Sequence, residues 1–570
     1  MRNKLVLLFL FLIPGMLMIH CARPGSPTGG PKDITPPSVK YTIPPNRSLE
    51  FKAKKITIAF DEFIELKDPA KEIFISPPIK TRPEFKVAGK DVIVVFQEEL
   101  KPNSTYTINF GNAIVDFSEG NILVNYEYVF STGDHLDSLS IKGKVINAFN
   151  EQPEAEIVAM AYTNDNDTIP LDSLPLKVPP GSASKTIKDG SFSINNLSPG
   201  KYKLVALQDL NNNYIFDLPN ERFAFIDSLI TVKPPEKQDS IAFDTIISPA
   251  FQIVEEASYT LRLFEEQNFI QKLLGKKLIG SHLLQYIFRN PVDSFNISLL
   301  NFQPSPPDWY IPEFNKTKDT LEFWLKPGLP DTIRVRFSTG DSLVDTTKFS
   351  PRKIGTDRAG KRKEAAKESL KFSSSAASGT LDPNRQFNLY FPSPVQYYDS
   401  CRLLLYTPKD TIIPTFYFTD SIQRKAVVNY KWREKELYKF LAADSAFRDL
   451  NGLYNDSVNI SFKVKSIEDY GILILDIKFA EKPGQYIIQL LDDKENIMLE
   501  KILTKSGSIR FDYLNPGNYK LKSIFDANSN GKWDTGNYKK NILPELVEYY
   551  PLPLSVRANW DLEEEWLLNY

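Results

Sequence analysis

Histidine and cysteine are scarce in this sequence, which holds three histidines and two cysteines among 570 residues. Cys21 and Cys401 have no partner at metal-binding or redox spacing, and His20, His135 and His282 lie far apart. These counts argue against metal centres of imidazole and thiolate ligands and against relays that need a histidine beside a nucleophile. The segment YYDSCRLLLY predicts a strand in which Cys401 behaves as a small hydrophobic residue.

An excess of charge of either sign is also missing. Lys and Arg number 69 and Asp and Glu number 71, a net charge of −2, so no basic field would attract a nucleic acid. The sequence contains no nucleophile elbow, phosphate-binding loop or zinc cluster. Adjacent carboxylates such as Glu563, Glu564 and Glu565 are predicted to lie on a solvated surface. We therefore expect a protein that is not an enzyme and that binds no nucleic acid.

Aromatic residues and prolines, in contrast, are plentiful. The chain has 26 Tyr, 38 Phe and 41 Pro. Aromatic rings pack well on pleated sheets, and many short strands need many turns, so this composition favours β structure. A chain of 570 residues is too long for one hydrophobic core, and roughly three to five domains are expected.

The N-terminal segment MRNKLVLLFLFLIPGMLMIHC places Arg2 and Lys4 before an apolar run too short to span a bilayer comfortably. This order predicts a signal peptide over residues 1–20. Because the run ends at a cysteine, the segment resembles a bacterial lipoprotein signal, which implies that Cys21 carries acyl chains such as palmitate and anchors the protein to the outer membrane. His20 departs from that pattern, which has a small residue there, so a plain signal peptide is the alternative. Residues 21–37, rich in Pro, Gly and Ser, predict an extended tether.

One stretch of the sequence occurs twice. LSPGKYKLVALQDLNNNYIFD begins at Leu197, and LNPGNYKLKSIFDANSNGKWD begins 317 positions later at Leu514. The two copies align without a gap. Each copy joins a Pro-Gly turn, an alternating strand and a loop of acidic and amide residues. Self-similarity of this kind predicts a duplicated structural module.

Residues 38–133 contain the alternating segments KKITIAFDEFIEL, DVIVVF, STYTINF and VNYEYVF, separated by turns, and this pattern is typical of a β-sandwich. The opening PPNRSLEFKAKKITIAFDEFIE, the segment KPNSTYTINF and the closing DFSEGN and YVFSTG resemble bacterial Ig-like domains of the Big_5 type. The pattern returns in residues 372–464, where Tyr438 matches Tyr106 and Gly452 matches Gly120, both 332 positions apart.

The two copies of the repeat lie in residues 139–234 and 467–570. Their order G-x-F-x-I-x-x-L-x-P-G-x-Y resembles the transthyretin-like or carboxypeptidase-regulatory-like sandwich. Residues 253–349 predict a third, sandwich-like insert, because Gly275 and Gly280 interrupt the helical spacing of FIQKLLGKKLIGSHLLQYIF. Residues 350–371 predict a basic linker. The predicted fold class is therefore all-β, with tandem Ig-like and transthyretin-like sandwiches behind a lipoprotein signal peptide, an order that resembles a group of Bacteroidota lipoproteins.

The second copy of the repeat carries a candidate calcium loop. Asp526, Asn528 and Asn530 supply oxygen ligands at alternate positions, a glycine follows, and Asp534 closes the series. The backbone carbonyl of Lys532 would complete this partial EF-hand-like set. Because the set has two formal charges, the expected affinity is weak, about 10⁻⁴–10⁻³ M, and the ion would be structural. An Asx-turn loop without metal is the alternative.

The first copy offers a poorer candidate for calcium, since a tyrosine stands where the glycine is expected. Its ligands would be four side chains: Asp209, Asn211, Asn213 and Asp217.

The pattern of anchor, tether and duplicated β modules predicts a non-enzymatic outer-membrane lipoprotein, a β-sandwich scaffold for protein–protein interaction. Two alternatives stay open: an accessory subunit of an outer-membrane assembly or export machine, and a carbohydrate-binding surface lipoprotein. The carbohydrate alternative requires an exposed aromatic platform, to which Trp533 or Trp566 would contribute. The sequence leaves the periplasmic or cell-surface face undetermined.

Overall fold

The structure is a computed structural model that describes residues 33–163, 168–234, 258–280, 282–302, 308–330, 332–340, 343–350, 368–480 and 482–569. The predicted signal peptide, Cys21 and most of the predicted tether and basic linker lie outside these residues. Strands dominate the described residues, which confirms the predicted all-β fold. Contacts divide the chain into two compact units, Met1–Ile146 with Gln152–Leu263, and Asn147–Glu151 with Phe264–Tyr570.

The first Ig-like domain lies in the first unit. Its elements are β1 (Val39–Ile43), β2 (Lys55–Phe60), β3 (Ile64–Leu66), the one-turn helix α1 (Pro69–Glu72), β4 (Phe74–Ser76), β5 (Glu84–Ala88), β6 (Asp91–Val95), β7 (Thr105–Asn109), β8 (Ile114–Asp116) and β9 (Glu127–Ser131). They form the sheets β1-β2-β6-β5 and β4-β7-β9 and the pair β3-β8. Alternate residues such as Ile56 and Ile58 of β2 point into the core between the sheets, as period-two patterning requires.

The first repeated module follows in the same unit. Its elements are β10 (Leu139–Asn147), β11 (Val158–Tyr162), a 3-10 helix (Leu171–Leu176), β12 (Ser182–Lys185), β13 (Ser191–Leu197), β14 (Gly200–Leu207), β15 (Arg222–Phe225), β16 (Ile230–Val232) and β17 (Ser258–Glu265). The sheet order is β12-β11-β14-β15-β17-β10-β13, with β16 on β14. The sequence assigned residues 253–349 to a separate insert, but the structure places β17 in this sheet, beside β10.

The remainder of the predicted insert forms a sandwich in the second unit. Its strands are β18 (Leu273–Ile279), β19 (Leu283–Phe288), β20 (Asn296–Leu299), β21 (Tyr310–Phe314), β22 (Thr320–Leu325), β23 (Ile333–Thr339) and β24 (Leu343–Phe349). They form the sheets β18-β19-β22-β21 and β20-β23-β24, which enclose an aromatic core. The segment around Gly275 is therefore strand, as the glycine positions predicted.

The region predicted to be a second Ig-like domain has strands β25 (Ser373–Ser374), β26 (Thr380–Leu381), β27 (Phe387–Tyr390), β28 (Val395–Tyr398), β29 (Leu403–Tyr406), β30 (Thr411–Ile412), β31 (Thr415–Phe418), β32 (Lys425–Asn429), β33 (Leu437–Ala442), β34 (Phe447–Asp449) and β35 (Val458–Val464). The prediction that Cys401 lies in a buried strand is wrong. Cys401 is exposed, in a 3-10 helix at Ser400–Arg402. The Asp399 carboxylate accepts the Cys401 N–H at 3.0 Å and so forms an Asx turn ahead of β29.

The second repeated module begins with a 3-10 helix (Ile467–Asp469). Its strands are β36 (Gly471–Lys478), β37 (Gln485–Leu491), β38 (Ile497–Leu503), β39 (Gly507–Leu514), β40 (Gly517–Asp526), β41 (Val547–Tyr549), β42 (Leu554–Val556) and β43 (Asp561–Leu567). The sheets are β39-β36-β43 and β38-β37-β40-β41, with β42 on β40. The last strand β43 lies parallel to β36, in the position that β17 takes beside β10. The two copies of the repeat therefore share these pairings, except that β17 also pairs with β15 and so joins the strands of the first module in one sheet.

Candidate functional site

The second Asp/Asn loop follows β40 and is closed by its own polar groups. The Asp526 carboxylate accepts the N–H of Asn530 at 3.1 Å and the N–H of Gly531 at 2.7 Å. The side-chain amides of Asn528 and Asn530 both donate to Oδ2 of Asp534 at 2.5 Å. The structure thus brings four of the predicted ligands together. The fifth predicted ligand, Lys532, donates its backbone N–H to Oδ1 of Asn530 at 3.0 Å.

Two residues from outside the loop hold it in place. Gln485 Nε2 on β37 donates to Oδ2 of Asp526 at 2.8 Å. The Glu545 carboxylate accepts the N–H groups of Ala527 and Asp534, each at 2.9 Å. Burial raises the pKa of Glu545 despite these hydrogen bonds. Asp526 is fully buried, which by itself would raise its pKa, but the hydrogen bonds from Gln485 and the loop amides outweigh burial and lower it.

The first loop repeats this architecture. Asp209 accepts the N–H of Asn213 at 3.2 Å and of Tyr214 at 2.8 Å, and the amides of Asn211 and Asn213 donate to Asp217 at 3.1 and 2.9 Å. Tyr214 takes a φ of 61° where Gly531 takes 80°, so the same left-handed position is occupied with strain in one copy and without it in the other.

Sequence reasoning missed the carboxylates that clamp these loops. Glu221 accepts the N–H of Leu210 at 3.2 Å and of Asp217 at 3.2 Å, as Glu545 does in the second copy. Glu221 follows Asp209 by 12 residues, whereas Glu545 follows Asp526 by 19. Because this spacing differs between the copies, an alignment without gaps could not reveal the shared role.

In both loops the oxygen atoms that could bind a cation already take part in hydrogen bonds that hold the loop together. Each predicted side-chain ligand already has a hydrogen-bond partner, and in the second loop the amide nitrogens, not the oxygens, face Asp534. To turn the amide oxygens of Asn528 and Asn530 toward an ion beside Asp534, the amides would have to exchange oxygen for nitrogen, which breaks the bonds that these oxygens accept from the Asn530 and Lys532 N–H groups at 3.0 Å each. In the part of the chain that the structure describes, no group of three or more His, Cys, Asp or Glu side chains is placed to hold a metal ion.

The edge strand β38 is the most apolar exposed element of the second module. Ile497, Met498, Leu499 and Ile502 are 55, 47, 41 and 49 % exposed. The strand pairs with β37 on one side and ends its sheet on the other. Long apolar edge strands present unpaired backbone groups and bind other strands readily.

The equivalent strand of the first module, β12, is polar and covered. Its sequence is Ser-Ala-Ser-Lys, and the first Ig-like domain packs beside it. The Ala183 N–H donates to Oγ of Ser76 at 3.0 Å, and Nζ of Lys185 donates to the carbonyl of Lys71 at 3.0 Å. The same position in the fold is therefore closed in one copy and open in the other.

A polar cleft of about 630 Å³ lies within the first unit, next to β12. Its carboxylates are engaged: Glu127 accepts the amide of Asn109 at 3.1 Å, and Glu156 lies 3.7 Å from Nζ of Lys185. The cleft shows no charge arrangement that identifies a reaction.

The tryptophans named for a carbohydrate platform are not free to serve as one. Trp566 is 2 % exposed in the core of the second module. Trp533 is half-buried, stacks edge-on against Phe149 and donates its indole N–H to the Glu545 carbonyl at 2.9 Å. Among the described residues, the exposed indole is that of Trp560, at 62 %. A single ring of this kind does not form a platform.

Within the described ranges, no helix has the length and apolar character needed to cross a bilayer. The lipidation site predicted at Cys21 lies outside those ranges and stays a prediction.

Comparison with known proteins supports the first domain. Residues 33–132 match the family described as a bacterial Ig-like domain, Big_5. No curated protein matched the sequence. The range 33–132 contains β1 to β9, so the match and the fold coincide.

Several solved structures match the chain at low identity and low TM-score. BcpA, the major pilin subunit of Bacillus cereus, is 11 % identical, with 75 % of this chain and 98 % of that chain covered and a TM-score of 0.13. The Bacillus anthracis TIE protein is 10 % identical, with coverages of 95 % and 75 % and a TM-score of 0.14. Bacteroides ovatus SGBP-B, solved with a mixed-linkage heptasaccharide, is 8 % identical, with coverages of 65 % and 87 % and a TM-score of 0.19. Such values carry no argument about function. The chain is a β-sandwich protein that contains a bacterial Ig-like domain at residues 33–132.

Proposed function

We propose that this protein is a non-enzymatic outer-membrane lipoprotein whose β-sandwich domains form a scaffold for protein–protein interaction. The observation that carries the proposal is the open edge strand β38, with four apolar side chains between 41 and 55 % exposed. Burying about half of each side chain against a partner would contribute roughly 1 kcal/mol per residue. Backbone hydrogen bonds along the edge would add specificity of register.

The interaction is tested by photo-crosslinking in intact cells. A photoreactive residue at Leu499 is expected to give a discrete adduct with another envelope protein, and Ile502→Lys in the same chain is expected to abolish it. Tyr417 is the matched control position, because it too is 41 % exposed and lies in a strand of another domain. Equal adducts at both positions, or none at Leu499, would overturn the proposal.

The membrane anchor is tested separately. Cys21→Ser is expected to release the protein from the membrane fraction, and Cys401→Ser is expected to leave it there. Mass spectrometry of the mature N-terminal peptide identifies acyl chains on Cys21 directly. An unmodified Cys21 on a membrane-bound chain would contradict lipidation.

Two alternatives give different outcomes. An accessory subunit of an assembly or export machine would leave detergent-solubilised membranes in a stable stoichiometric complex, whereas a scaffold with exchanging partners would not. A carbohydrate-binding lipoprotein would bind glycans in an array, and the binding would fall when Trp560 is replaced. The burial of Trp566 supports the scaffold over the carbohydrate-binding alternative.

For the second loop we propose calcium as a weak structural ligand, bound by Asp526, Asn528, Asn530 and Asp534. The clamp by Glu545 supports this proposal, since it fixes the loop backbone from Ala527 to Asp534 before any ion binds. The ion would then stabilise a loop that is already formed.

A further inference from the structure

Three exposed apolar residues of the first Ig-like domain form what we call the entry patch: Ile34, Phe63 and Phe117. They are 82, 60 and 71 % exposed. Phe63 precedes β3 and Phe117 follows β8, and the Phe117 N–H donates to the Phe63 carbonyl at 2.9 Å. This bond continues the antiparallel register of Ile64 with Asp116. Residues directly opposite in such a pair project from the same face, so the two rings emerge together.

The incoming chain is fastened beside these rings. Asn121 Nδ2 donates to the Asp33 carbonyl at 3.0 Å, four residues after Phe117. The Ser38 N–H and hydroxyl donate to the two carboxylate oxygens of Asp61 at 2.8 and 2.6 Å, two residues before Phe63. Residues 33–38 therefore cross the ends of both strands. The point at which the chain enters the domain coincides with the entry patch.

This coincidence sets how far the patch can lie from a lipidated Cys21. Asp33 is twelve positions after Cys21. A chain of that length reaches at most about 40 Å. Apolar side chains such as phenylalanine on the exposed face of a peripheral segment bury in the boundary between headgroups and acyl chains. Exposed phenylalanines within that reach are therefore close to a surface that would bury them.

We propose that the entry patch inserts into the interfacial region of the membrane that holds Cys21, and so docks the first Ig-like domain on the bilayer in one orientation. The inference rests on the proposed lipid anchor and deepens it. Acyl chains alone leave a tethered domain free to rotate, whereas a second contact beside the tether fixes one face against the lipid.

The charges around the patch specify the kind of lipid surface. Nζ of Lys90 lies 5.3 Å from the centre of the Phe63 ring. Lys40 near Asp61 and Lys67 near Gly120 are two further cations. Five carboxylates outnumber these three lysines, and they are Asp33, Asp61, Glu62, Asp116 and Glu119. Partial burial and the neighbouring carboxylates together raise the pKa of Glu62. An acidic rim is repelled by anionic headgroups, so the contact is apolar and favours zwitterionic lipid.

The test uses the full lipidated protein in vesicles, with an environment-sensitive fluorophore on a single engineered cysteine in a Cys401→Ser background. With the fluorophore at Phe117→Cys, the emission of the lipidated protein in phosphatidylcholine vesicles is expected to lie at shorter wavelength than the emission of the same chain without acyl chains in buffer without detergent. The shift is expected to shrink when phosphatidylglycerol is added in equal amount. Phe269→Cys is the matched control, since Phe269 is 70 % exposed in the second unit. Equal shifts at both positions would overturn the inference.

A second measurement removes the label. The mature chain with Cys21→Ser, which is released from membranes in cells, is expected to bind phosphatidylcholine vesicles only weakly and at high lipid concentration, and its partition coefficient is expected to fall on the order of tenfold for each of Phe63→Ser and Phe117→Ser. Phe269→Ser is expected to leave the partition unchanged. A blue shift that needs an added envelope extract and is missing in pure lipid would assign the patch to a protein partner instead and overturn the inference.

The outcomes separate this inference from the proposed function. If mass spectrometry finds Cys21 unmodified in the native protein, the anchor and the inference fail together. If Cys21 is acylated but neither label nor partition responds to the entry patch, the inference fails and the anchored scaffold stands.

Discussion

At the scale of single residues, the Ig-like domain at residues 33–132 and the predicted second one each have a buried tyrosine that bonds back to the backbone. The Tyr106 hydroxyl accepts the N–H of Lys101 at 3.0 Å, and the Tyr438 hydroxyl accepts the N–H of Arg433 at 3.1 Å. Each bond reaches back five residues, as in the tyrosine corner of Ig-like sandwiches. The two tyrosines, which are 332 positions apart in the sequence, therefore make the same hydrogen bond in their respective domains.

Removing either hydroxyl is expected to destabilise its domain. Tyr106→Phe leaves the Lys101 N–H without its acceptor and is expected to lower the free energy of unfolding by about 1–2 kcal/mol. Tyr438→Phe is expected to cost more, because the Tyr438 hydroxyl also donates to Glu436 at 2.8 Å. Urea unfolding followed by circular dichroism measures both, since the first domain contains no tryptophan. Tyr397→Phe, at a half-exposed site, is the control, and an equal loss in all three variants would contradict the assignment.

Lys522 is a buried cation in the second module, where the first module has Val205 at the equivalent position. It is 2 % exposed, and its Nζ lies 3.1 Å from the centre of the Phe149 ring. Burial lowers the pKa of Lys522 to about 8, although Glu495 and Glu151 oppose the shift. The charged form is therefore less stable in the folded chain than in water, and the cation–π contact offsets part of that cost.

This shift gives stability a definite dependence on pH. Below about pH 8 Lys522 is charged in both states, and the cost of burying the charge is complete. Between pH 8 and about 10.5 the folded chain releases its proton while the unfolded chain keeps it, so stability from this group rises with pH. Lys522→Val is expected to raise the free energy of unfolding by about 1–2 kcal/mol at pH 7 and to give little gain at pH 10. A gain that is constant with pH would contradict the burial argument, and Lys505→Val, at an exposed site, is the control.

At the scale of elements, the repeated loop separates what sequence can and cannot predict. The side chains of Asp526, Asn528, Asn530 and Asp534 lie together because Asx turns act over a few residues, and their role as calcium ligands stays a prediction. Glu545 could not be predicted, since its contact depends on how β41 returns to the loop. Hydrogen bonds within the loop depend on residues that are close in sequence, whereas the contact of Glu545 with the loop depends on the tertiary fold.

Calcium binding by this loop is a direct test of the oxygen-ligand proposal. Titration with Ca²⁺ is expected to change Trp533 fluorescence with a dissociation constant of about 10⁻⁴–10⁻³ M. Asp534→Asn is expected to remove the response, because it deletes the carboxylate that faces both amides. Asp217→Asn in the first loop is the matched control and is expected to preserve the Trp533 signal. A response that survives Asp534→Asn would place the ion elsewhere.

Edge strands were likewise beyond sequence reasoning. The segment that forms β38 alternates too little to reveal a buried face, and no sequence signal shows which neighbour a strand lacks. Strands β17 and β43 each pair next to the opening strand of their module after a long excursion of the chain. The first was assigned to the insert because its partner β10 lies more than a hundred residues earlier. Pairings over such distances depend on topology, which periodicity does not encode.

At the scale of the whole molecule, the order of β domains was predictable because the sequence repeat marks both copies of the module. The offset of 317 residues marks β13 and β14 in one module and β39 and β40 in the other, and the structure gives both pairs the same neighbours. Composition predicted strands, and the balance of charge indicated no binding site. The entry patch and β38 emerged only once burial was known, since an exposed phenylalanine and a core phenylalanine are identical in sequence.

The division into two units leads to a last prediction about unfolding. Each unit has its own hydrophobic clusters, with Tyr106 in a cluster of the first unit and Tyr438 in one of the second. Because a domain usually unfolds as one cooperative body around its core, we expect calorimetry of the full chain to resolve more than one transition. Tyr106→Phe is expected to lower the midpoint of one transition by about 2–8 °C and Tyr438→Phe that of another, while Lys522→Val raises a transition that Tyr106→Phe leaves unchanged. If all three substitutions moved one common transition, the chain would be a single cooperative body, and the separate clusters would not mark separate units of stability.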